Sequence, residues 1–384
     1  MPSRGDPVRI GVPRERTRCE TRVALAPHAV YELSRAGHRV LVEAGAGGAS
    51  GIPDAAFEEA GARVVAEATK VWDDSEIVVK VYGPVGDERA RLREGLVLLS
   101  FLSLAIDRDL MGDLLESRCV AFATETVRDG QGRLPVLTPM SEIAGRLTPQ
   151  IGAHLLLGPS GGRGVLLGGA TGVRPGRVVV LGCGIVGSGA ARTASGLGAQ
   201  VTVIDRDVDR LRLLEGARLK GVTTLAASVL GIRDAVLRAD LLIGAVHVAG
   251  DRTPALVDRE TVEGMRHGAV IVDVDVDYGG CVETSRPTTL DDPTFVEAGV
   301  VHYCVKNVPA AVPVTSTRAL SNALLPPVRR LAGLGLADAL KSDPGLARGV
   351  AVAEGRVVDP VLAKATGSDH SQLSSVLPLH SEAR

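Results

Sequence analysis

Arg177-Val-Val-Val-Leu-Gly-Cys-Gly-Ile-Val-Gly-Ser-Gly-Ala-Ala191 decides the fold. The β-prone residues Val178 to Leu181 run directly into Gly182, Gly184 and Gly187, and an alanine-rich helical pattern follows. Strand, glycine turn and helix in this register are what a dinucleotide fingerprint requires. Gly182 permits the tight turn, Gly184 lets the backbone approach a pyrophosphate, and Gly187 lets helix and strand pack closely. The phosphates then rest on the N–H groups that open the helix, around Ile185 and Val186. A second strand, Gln200-Val-Thr-Val-Ile204, ends in Asp205. This is about the ~20-residue spacing at which an acid accepts hydrogen bonds from an adenosine ribose, a pattern that favours NAD over NADP. Arg206, next along, is the residue that would tolerate a 2′-phosphate. Arg210, on the following helix, joins the expected cofactor contacts.

Outward from this stretch, 384 residues with 45% hydrophobic content leave room for two domains with ordinary cores. Lys+Arg 43 against Asp+Glu 45, with 2% aromatic residues, offers neither phosphate attraction nor base stacking, which argues against nucleic acid as a partner. No apolar run reaches the ~18 residues of a membrane span, and Met1-Pro-Ser-Arg-Gly-Asp-Pro7 has no apolar leader. The cysteines (Cys19, Cys119, Cys183, Cys281, Cys304) are odd in number, widely spaced and without a CxxC pair. Neither a disulfide framework nor a zinc site is implied, and a reducing, cytoplasmic compartment fits best. Cys183, between two glycines, reads as a small buried side chain.

From the N-terminus, Val8-Arg-Ile-Gly-Val12 is a strand followed by a polar turn carrying Arg14, Glu15, Arg16 and Arg18. Strands and helices alternate from there to about residue 135, the pattern of a doubly wound α/β domain with a parallel sheet. Residues 139–157 read as a helix that Pro149 should kink, and after Asp205 the alternation resumes with strands at 222–225, 241–246, 269–274 and 300–305. A helical stretch at 316–340 is expected to return to the first domain, and roughly the last 20 residues read as a frayed polar tail. The architecture expected is two doubly wound, Rossmann-like parallel-sheet domains with a cleft between them. Residues 1–135 with 314–384 form the substrate domain and 136–313 the NAD-binding domain. Ligands of open α/β sheets bind beyond the carboxyl ends of strands. The positions to watch are therefore Arg22, Lys80 to Pro84 with Tyr82 among them, Ser103, Ser141, His247, Asp277 and Asn307, and Ser141, Val246, His247, Asp275, Asp277 and Asn307 join the expected cofactor contacts. Asp273, Asp275 and Asp277 alternate along the chain and are expected to share one strand face.

Ordered motifs along nearly the whole chain carry a resemblance. They include Arg9-Ile-Gly-Val-Pro13, Glu20-Thr-Arg-Val-Ala24, Gly45-Ala-Gly47, Pro139-Met-Ser-Glu-Ile-Ala-Gly-Arg146, Gly244-Ala-Val246, Val272-Asp-Val-Asp-Val-Asp-Tyr-Gly-Gly280, Arg286-Pro-Thr-Thr289, His302-Tyr-Cys-Val305 and Val312-Pro-Val-Thr-Ser-Thr317. With these the sequence resembles the NAD-dependent alanine dehydrogenases, whose fold is shared by the transhydrogenase nucleotide subunit. The resemblance implies hydride transfer between an amino acid and NAD, and a homo-oligomer, hexamer or dimer. It also implies an arginine (Arg22) and a lysine on the substrate, a histidine as acid/base, and an aspartate (Asp277) near the reacting carbon.

Two of those four side chains are replaced. Lys80-Val-Tyr-Gly-Pro84 sets Tyr82 where the resemblance implies the lysine, and Phe101-Leu-Ser-Leu104 sets Ser103 where it implies the histidine. Losing a charged hydrogen bond costs ~1.5–3 kcal/mol, and losing a general base costs ~10²- to 10⁴-fold in rate. Cationic neighbours would let Tyr82 serve as an acid, with Lys80 two residues away. Lys80 also reads as a structural lysine. Two readings stand for the remaining departures: Asp275 and Lys306 form a structural ion pair, or Asp275 receives a cationic substrate and His247 is a relocated acid/base. The expectation is an NAD-dependent oxidoreductase for an amino, imino or oxo acid other than alanine. Alanine dehydrogenase itself, or a catalytically silent NAD-binding relative, are the alternatives.

Overall fold

The computed structural model describes residues 6–246 and 253–377. The chain divides into two compact units, Met1–Met140 with Val312–Arg384, and Ser141–Ala311.

The first unit is built on β1 (Arg9–Val12), β2 (Arg39–Glu43), β3 (Arg63–Val65), β4 (Ile77–Tyr82), β5 (Val97–Phe101) and β6 (Val120–Ala123). In the second the strands are β7 (Arg177–Leu181), β8 (Gln200–Asp205), β9 (Val222–Ala226), β10 (Leu241–Gly244), β11 (Val270–Asp273), β12 (Thr294–Glu297) and β13 (Val300–Tyr303). The chain then returns to the first unit and adds β14 (Val350–Ala353) and β15 (Arg356–Val357). The sheets run β15-β14-β6-β5-β4-β1-β2-β3 and β12-β13-β11-β10-β7-β8-β9. Numbered within its own unit, the first sheet begins 3-2-1-4-5-6 and the second runs 3-2-1-4-5-7-6, the doubly wound order with the last two strands exchanged, and the switch points lie between β1 and β4 and between β7 and β10. The sequence reading of two parallel sheets needs one amendment. β12 pairs antiparallel with β13, β14 with β6, and β15 with β14, so both sheets finish in antiparallel edges.

Why the strands form is visible in their burial. β10, β11 and β13 are buried at every position, as parallel strands covered on both faces must be. Alternate residues serve opposite faces: Val178 and Val180 enter one core with Leu241 and Ile243, while Val179 and Leu181 enter the other with Leu242 and Ile271. The helix Ile185–Gly196 lies against β7 on Gly187, Ala190, Ala191 and Ala194, residues small enough for close contact. In the first unit the helix Pro313–Leu334 supplies Thr317 Oγ1 and Ser321 Oγ, which accept from the backbone N–H groups of Val23 (3.1 Å) and Ala26 (2.9 Å). Up to residue 377 the stretch expected to be a frayed tail is folded. Ser371 N–H donates to Val357 O (2.9 Å), and Leu373–Val376 forms a helical turn. Among the described residues no helix is long and apolar enough to cross a membrane, and no cluster of three or more His, Cys, Asp or Glu is arranged for a metal.

β13 contains His302, fully buried. Its Nδ1 faces the Val300 carbonyl (3.0 Å), which only accepts, so Nδ1 carries the proton and Nε2 accepts from Thr284 Oγ1 (2.8 Å). Phe295 stacks on the ring (4.8 Å between centroids), and the Arg286 guanidinium lies 4.0 Å from the Phe295 centroid on its own account. Burial holds the His302 pKa below its ordinary value. The neutral ring therefore contributes stability that is present above the unfolded value of about 6.5 and is lost as pH falls through the folded one. Thermal melts between about pH 7 and 5 check this: the parent loses more stability on acidification than His302→Gln, whose amide cannot take up a proton.

Candidate active site

In the second unit β7 delivers the chain into Gly182 at φ +94, a left-handed conformation suited to glycine, where an added Cβ would also collide with the Ala245 carbonyl. At Gly187 an added Cβ would strike the Gly182 carbonyl. Gly184 differs. The nearest atom to a Cβ there is Arg210 Nη1 at 3.9 Å, so the space above this glycine stays open beside the first N–H groups of the helix. That is the cradle a pyrophosphate needs, and on this ground the residues fit a dinucleotide. Asp205 closes the second strand with its carboxylate fixed: Cys183 N–H donates to Oδ2 (2.5 Å) and Asp207 N–H to Oδ1 (2.8 Å). Arg210 pairs with Asp207 (3.3 Å) and stays half-exposed beside the cradle. Cys183 is the buried small side chain expected, its thiol pushed up to about 11 by burial and by Asp205.

Ser141 lies on the helix Leu137–Leu155, which runs without interruption through Pro149. Gly145 of that helix meets the glycine-loop helix at Val186 and Gly189, where a Cβ would collide with the Val186 carbonyl. Val246 follows β10 and its carbonyl accepts from Thr253 Oγ1 (3.1 Å). Asn307 holds φ +60 after β13. His247 lies outside the described residues.

The acidic segment after β11 departs from the sequence reading. β11 stops at Asp273, and Val276–Tyr278 is a helical turn, so Asp273, Asp275 and Asp277 do not share a strand face. The chain folds back through Gly279 and Gly280, both at positive φ, and brings the N–H groups of Cys281 (3.0 Å) and Val282 (3.3 Å) and the Ser285 hydroxyl (2.8 Å) onto Asp273. Burial raises the Asp273 pKa to about 6 against those bonds. The ion pair is relocated too: Lys306 Nζ lies 3.5 Å from Asp277 Oδ1, the carboxylate assigned to chemistry, where Asp275 was the expected partner. Burial raises the Asp277 pKa and Lys306 opposes it.

In the first unit, groups gather beyond β1 and β4, at its switch point. Arg22 is buried and held edge-on by Glu20, with Nε–Oε1 at 2.8 Å and Nη2–Oε2 at 2.7 Å, while Nη1 donates to Met140 Sδ at 3.1 Å. The Tyr82 ring centroid is 5.9 Å from the Arg22 guanidinium carbon. Lys80 is buried and held by Glu88 (2.7 and 2.9 Å) with Glu15 at 3.6 Å, so its structure is that of an internal ion pair. Glu15 also accepts from the backbone N–H groups of Val81 (2.7 Å) and Tyr82 (3.4 Å). Burial pushes its carboxyl up to about 7, against Lys80 and Val81 N–H and with the help of Glu20 and Glu88. Ser103 has φ +48, its loop fixed by Glu125, which accepts from Ser103 N–H (2.8 Å) and Leu102 N–H (3.2 Å). Sequence reasoning passed over Glu15, Glu20, Glu88 and Glu125. The interleaving of Glu15 and Glu20 with arginines in the first turn was the available signal.

A family model described as alanine dehydrogenase/PNT, N-terminal domain, matches residues 11–144, and its C-terminal counterpart matches residues 148–360. The chain belongs to the alanine dehydrogenase family. The alanine dehydrogenase of Mycobacterium tuberculosis is 47% identical over 370 residues, 96% of this chain and 100% of that one. For the Bacillus subtilis alanine dehydrogenase the figures are 47% over 362 residues, 94% and 95%. A solved L-alanine dehydrogenase superposes with a TM-score of 0.89 at 48% identity, covering 94% of this chain and 99% of that one. A Sinorhizobium meliloti transhydrogenase, 23% identical with a TM-score of 0.77 over 92% of this chain and 99% of its own, shares the fold. As a family member the chain is an oxidoreductase of the nicotinamide-dependent amino-acid dehydrogenase type. These matches overturn the expectation of a substrate other than alanine. That expectation weighed the replacements at 82 and 103 above a frame that is otherwise retained from end to end at nearly half identity.

Because Gly184 has ordinary backbone angles and open space above it, Gly184→Ala should melt as the parent does yet weaken NADH affinity roughly tenfold or more by shielding the helix N–H groups. Fluorescence titration of NADH beside a thermal melt reads both quantities.

Proposed function

We propose that this chain is an alanine dehydrogenase, interconverting L-alanine with pyruvate and ammonia, with NAD as its coenzyme. The observation that carries the reading is the 47% identity to proteins of that name over nearly the whole of both chains. An open glycine cradle and a buried, pre-aligned arginine add support. In this reading residues 1–135 with 314–384 hold the substrate groups and 136–313 the coenzyme groups. NAD, held at Gly182, Gly184 and Gly187 with its adenosine ribose on Asp205, would supply the acceptor for the hydride that leaves the alanine Cα.

Arg22 then takes the substrate carboxylate end-on through the second N–H of Nη1 and of Nη2, since Nη2 already donates one to Glu20 and Nη1 one to Met140 Sδ. Two parallel N–H donors on one carboxylate fix its plane as well as its position. Holding Arg22 rigid beforehand lowers the ordering cost at binding, which is the part Glu20 plays. Asp277 accepts from the substrate nitrogen. The hydroxyls of Tyr82 and Ser103 offer O–H groups at the positions where the resemblance implied lysine and histidine, without the near-neutral basicity of an imidazole. The polypeptide is read as cytoplasmic, a compartment supported by five free cysteines, and as a homo-oligomer, which sedimentation would test.

Alanine added to protein and NAD should produce absorbance at the reduced-nicotinamide band, and its absence would overturn the reading. Arg22→Lys keeps a charge beside Glu20 but removes the planar fork, so KM for alanine should rise roughly tenfold or more. The left-handed backbone at 103 is one histidine adopts more readily than most residues. Installing Tyr82→Lys together with Ser103→His should accordingly raise kcat for alanine, by roughly 100-fold if the imidazole acts as base.

A further inference from the structure

In the doubly wound order the strands on one side of the switch point take the adenosine end of a dinucleotide, and those on the other side take the nicotinamide end. Asp205, at the end of β8, marks the first side. The second side is β10, β11 and β13, and the loops beyond β11 and β13 bring Asp277 and Lys306 together. The foot of Lys306 is fixed. Val305 bridges to Thr288, Lys306 N–H donates to Thr288 O (3.3 Å), and Asn307 turns the chain at φ +60. Its side chain is not fixed in the same way: it is 55% exposed, and its 3.5 Å to Asp277 exceeds the ~2.7–2.9 Å of a tight charge-assisted bond. Lys80 gives the contrast, a fully buried ammonium with Glu88 at 2.7 Å, which is how a lysine is held when its work is structural.

The charge around Lys306 gives it a task. Asp273, Asp275 and Asp277 lie within a short segment, and Asp275 raises the pKa of both its acidic neighbours. A keto acid, itself an anion, would be repelled by such a cluster unless a cation stood in front of it. Lys306, on the loop beyond β13 and 3.5 Å from Asp277, is a cation placed to do this.

We propose that Lys306 is a catalytic residue of this dehydrogenase, whose ammonium, beside Asp277, donates a hydrogen bond to the oxo oxygen of the keto acid. The assignment rests on the alanine–pyruvate reading. A donor at the oxo oxygen draws electron density from the carbonyl carbon: as the ammonia nitrogen bonds to that carbon the C=O π pair moves onto the oxygen, the oxygen takes the proton the attacking nitrogen sheds, and the lysine keeps its own.

The experiment measures pyruvate binding to the NADH-saturated protein by calorimetry, together with reductive amination, for the parent, Lys306→Met and Lys306→Arg, with a melt on each. The exposed side chain predicts unchanged melts. Lys306→Met should lose roughly tenfold or more in pyruvate affinity and in kcat/KM, and Lys306→Arg, which keeps the charge, should recover part of both. A parent that interconverts alanine and pyruvate with a Lys306→Met variant within about twofold of it in both measurements overturns the role of Lys306 alone. A parent that neither turns over alanine nor binds pyruvate overturns the alanine reading and this assignment with it.

Discussion

A helix can start directly above the end of a strand only where no side chain stands between the two backbones. In the second unit the turn from Gly182 to Gly187 meets that condition, with Gly182 left-handed and Gly187 against the Gly182 carbonyl. Much else follows from this contact. It aims the helix N–H groups at the open space above Gly184, and it sets Cys183 N–H at 2.5 Å from Asp205, so the end of β8 is tied to the same turn. A third glycine position, Gly145, lets the helix Leu137–Leu155 lie against Val186. Small residues here are the means by which backbone polar groups reach the surface of the site.

The first unit repeats the strand order but furnishes its switch point with charge in place of glycine. Glu15, Glu20 and Glu88 are set against Arg22 and Lys80, three carboxyls to two cations in buried surroundings. Burial is costly for an uncompensated charge, and the outcome is that Glu15, the most crowded acid, holds its proton up to about pH 7. The same side chain also accepts from the backbone at the end of β4. The second unit has a related arrangement at Asp273, whose carboxyl rises to about 6 although three donors face it.

Much of this architecture was legible in the chain. Runs such as Arg177–Leu181 and Gln200–Asp205 are continuous and β-branched, and glycine turns at strand ends are stereochemical demands that a sequence states directly. What was not legible has physical causes. β14 exists because the β6 edge accepts it, a contact between residues more than two hundred apart that local pattern does not encode, and β15 then pairs with β14. The aspartates after Val272 alternate as strand residues do, but the strand stops at Asp273 because its carboxylate is recruited by the N–H groups of a loop that folds back, so alternation misled. The Lys80–Glu88 and Arg22–Glu20 pairs could not be assigned from composition, since each acid had several cations within reach. The weight given to Tyr82 and Ser103 was misplaced for another reason: two site residues say less about what a protein acts on than the frame that holds them.

The first sheet is written in two instalments, separated in the chain by the whole of the second unit. During synthesis β6, whose residues are all buried in the finished protein, waits with a bare edge until Val350–Ala353 leaves the ribosome. The backbone N–H groups of Val23 and Ala26 likewise wait for Thr317 and Ser321. The second unit, Ser141–Ala311, is uninterrupted in the chain and can close as soon as it emerges. A nascent chain stalled near residue 311 would thus carry a finished second unit tethered to an open, adhesive sheet, and the last stretch of translation is what seals it.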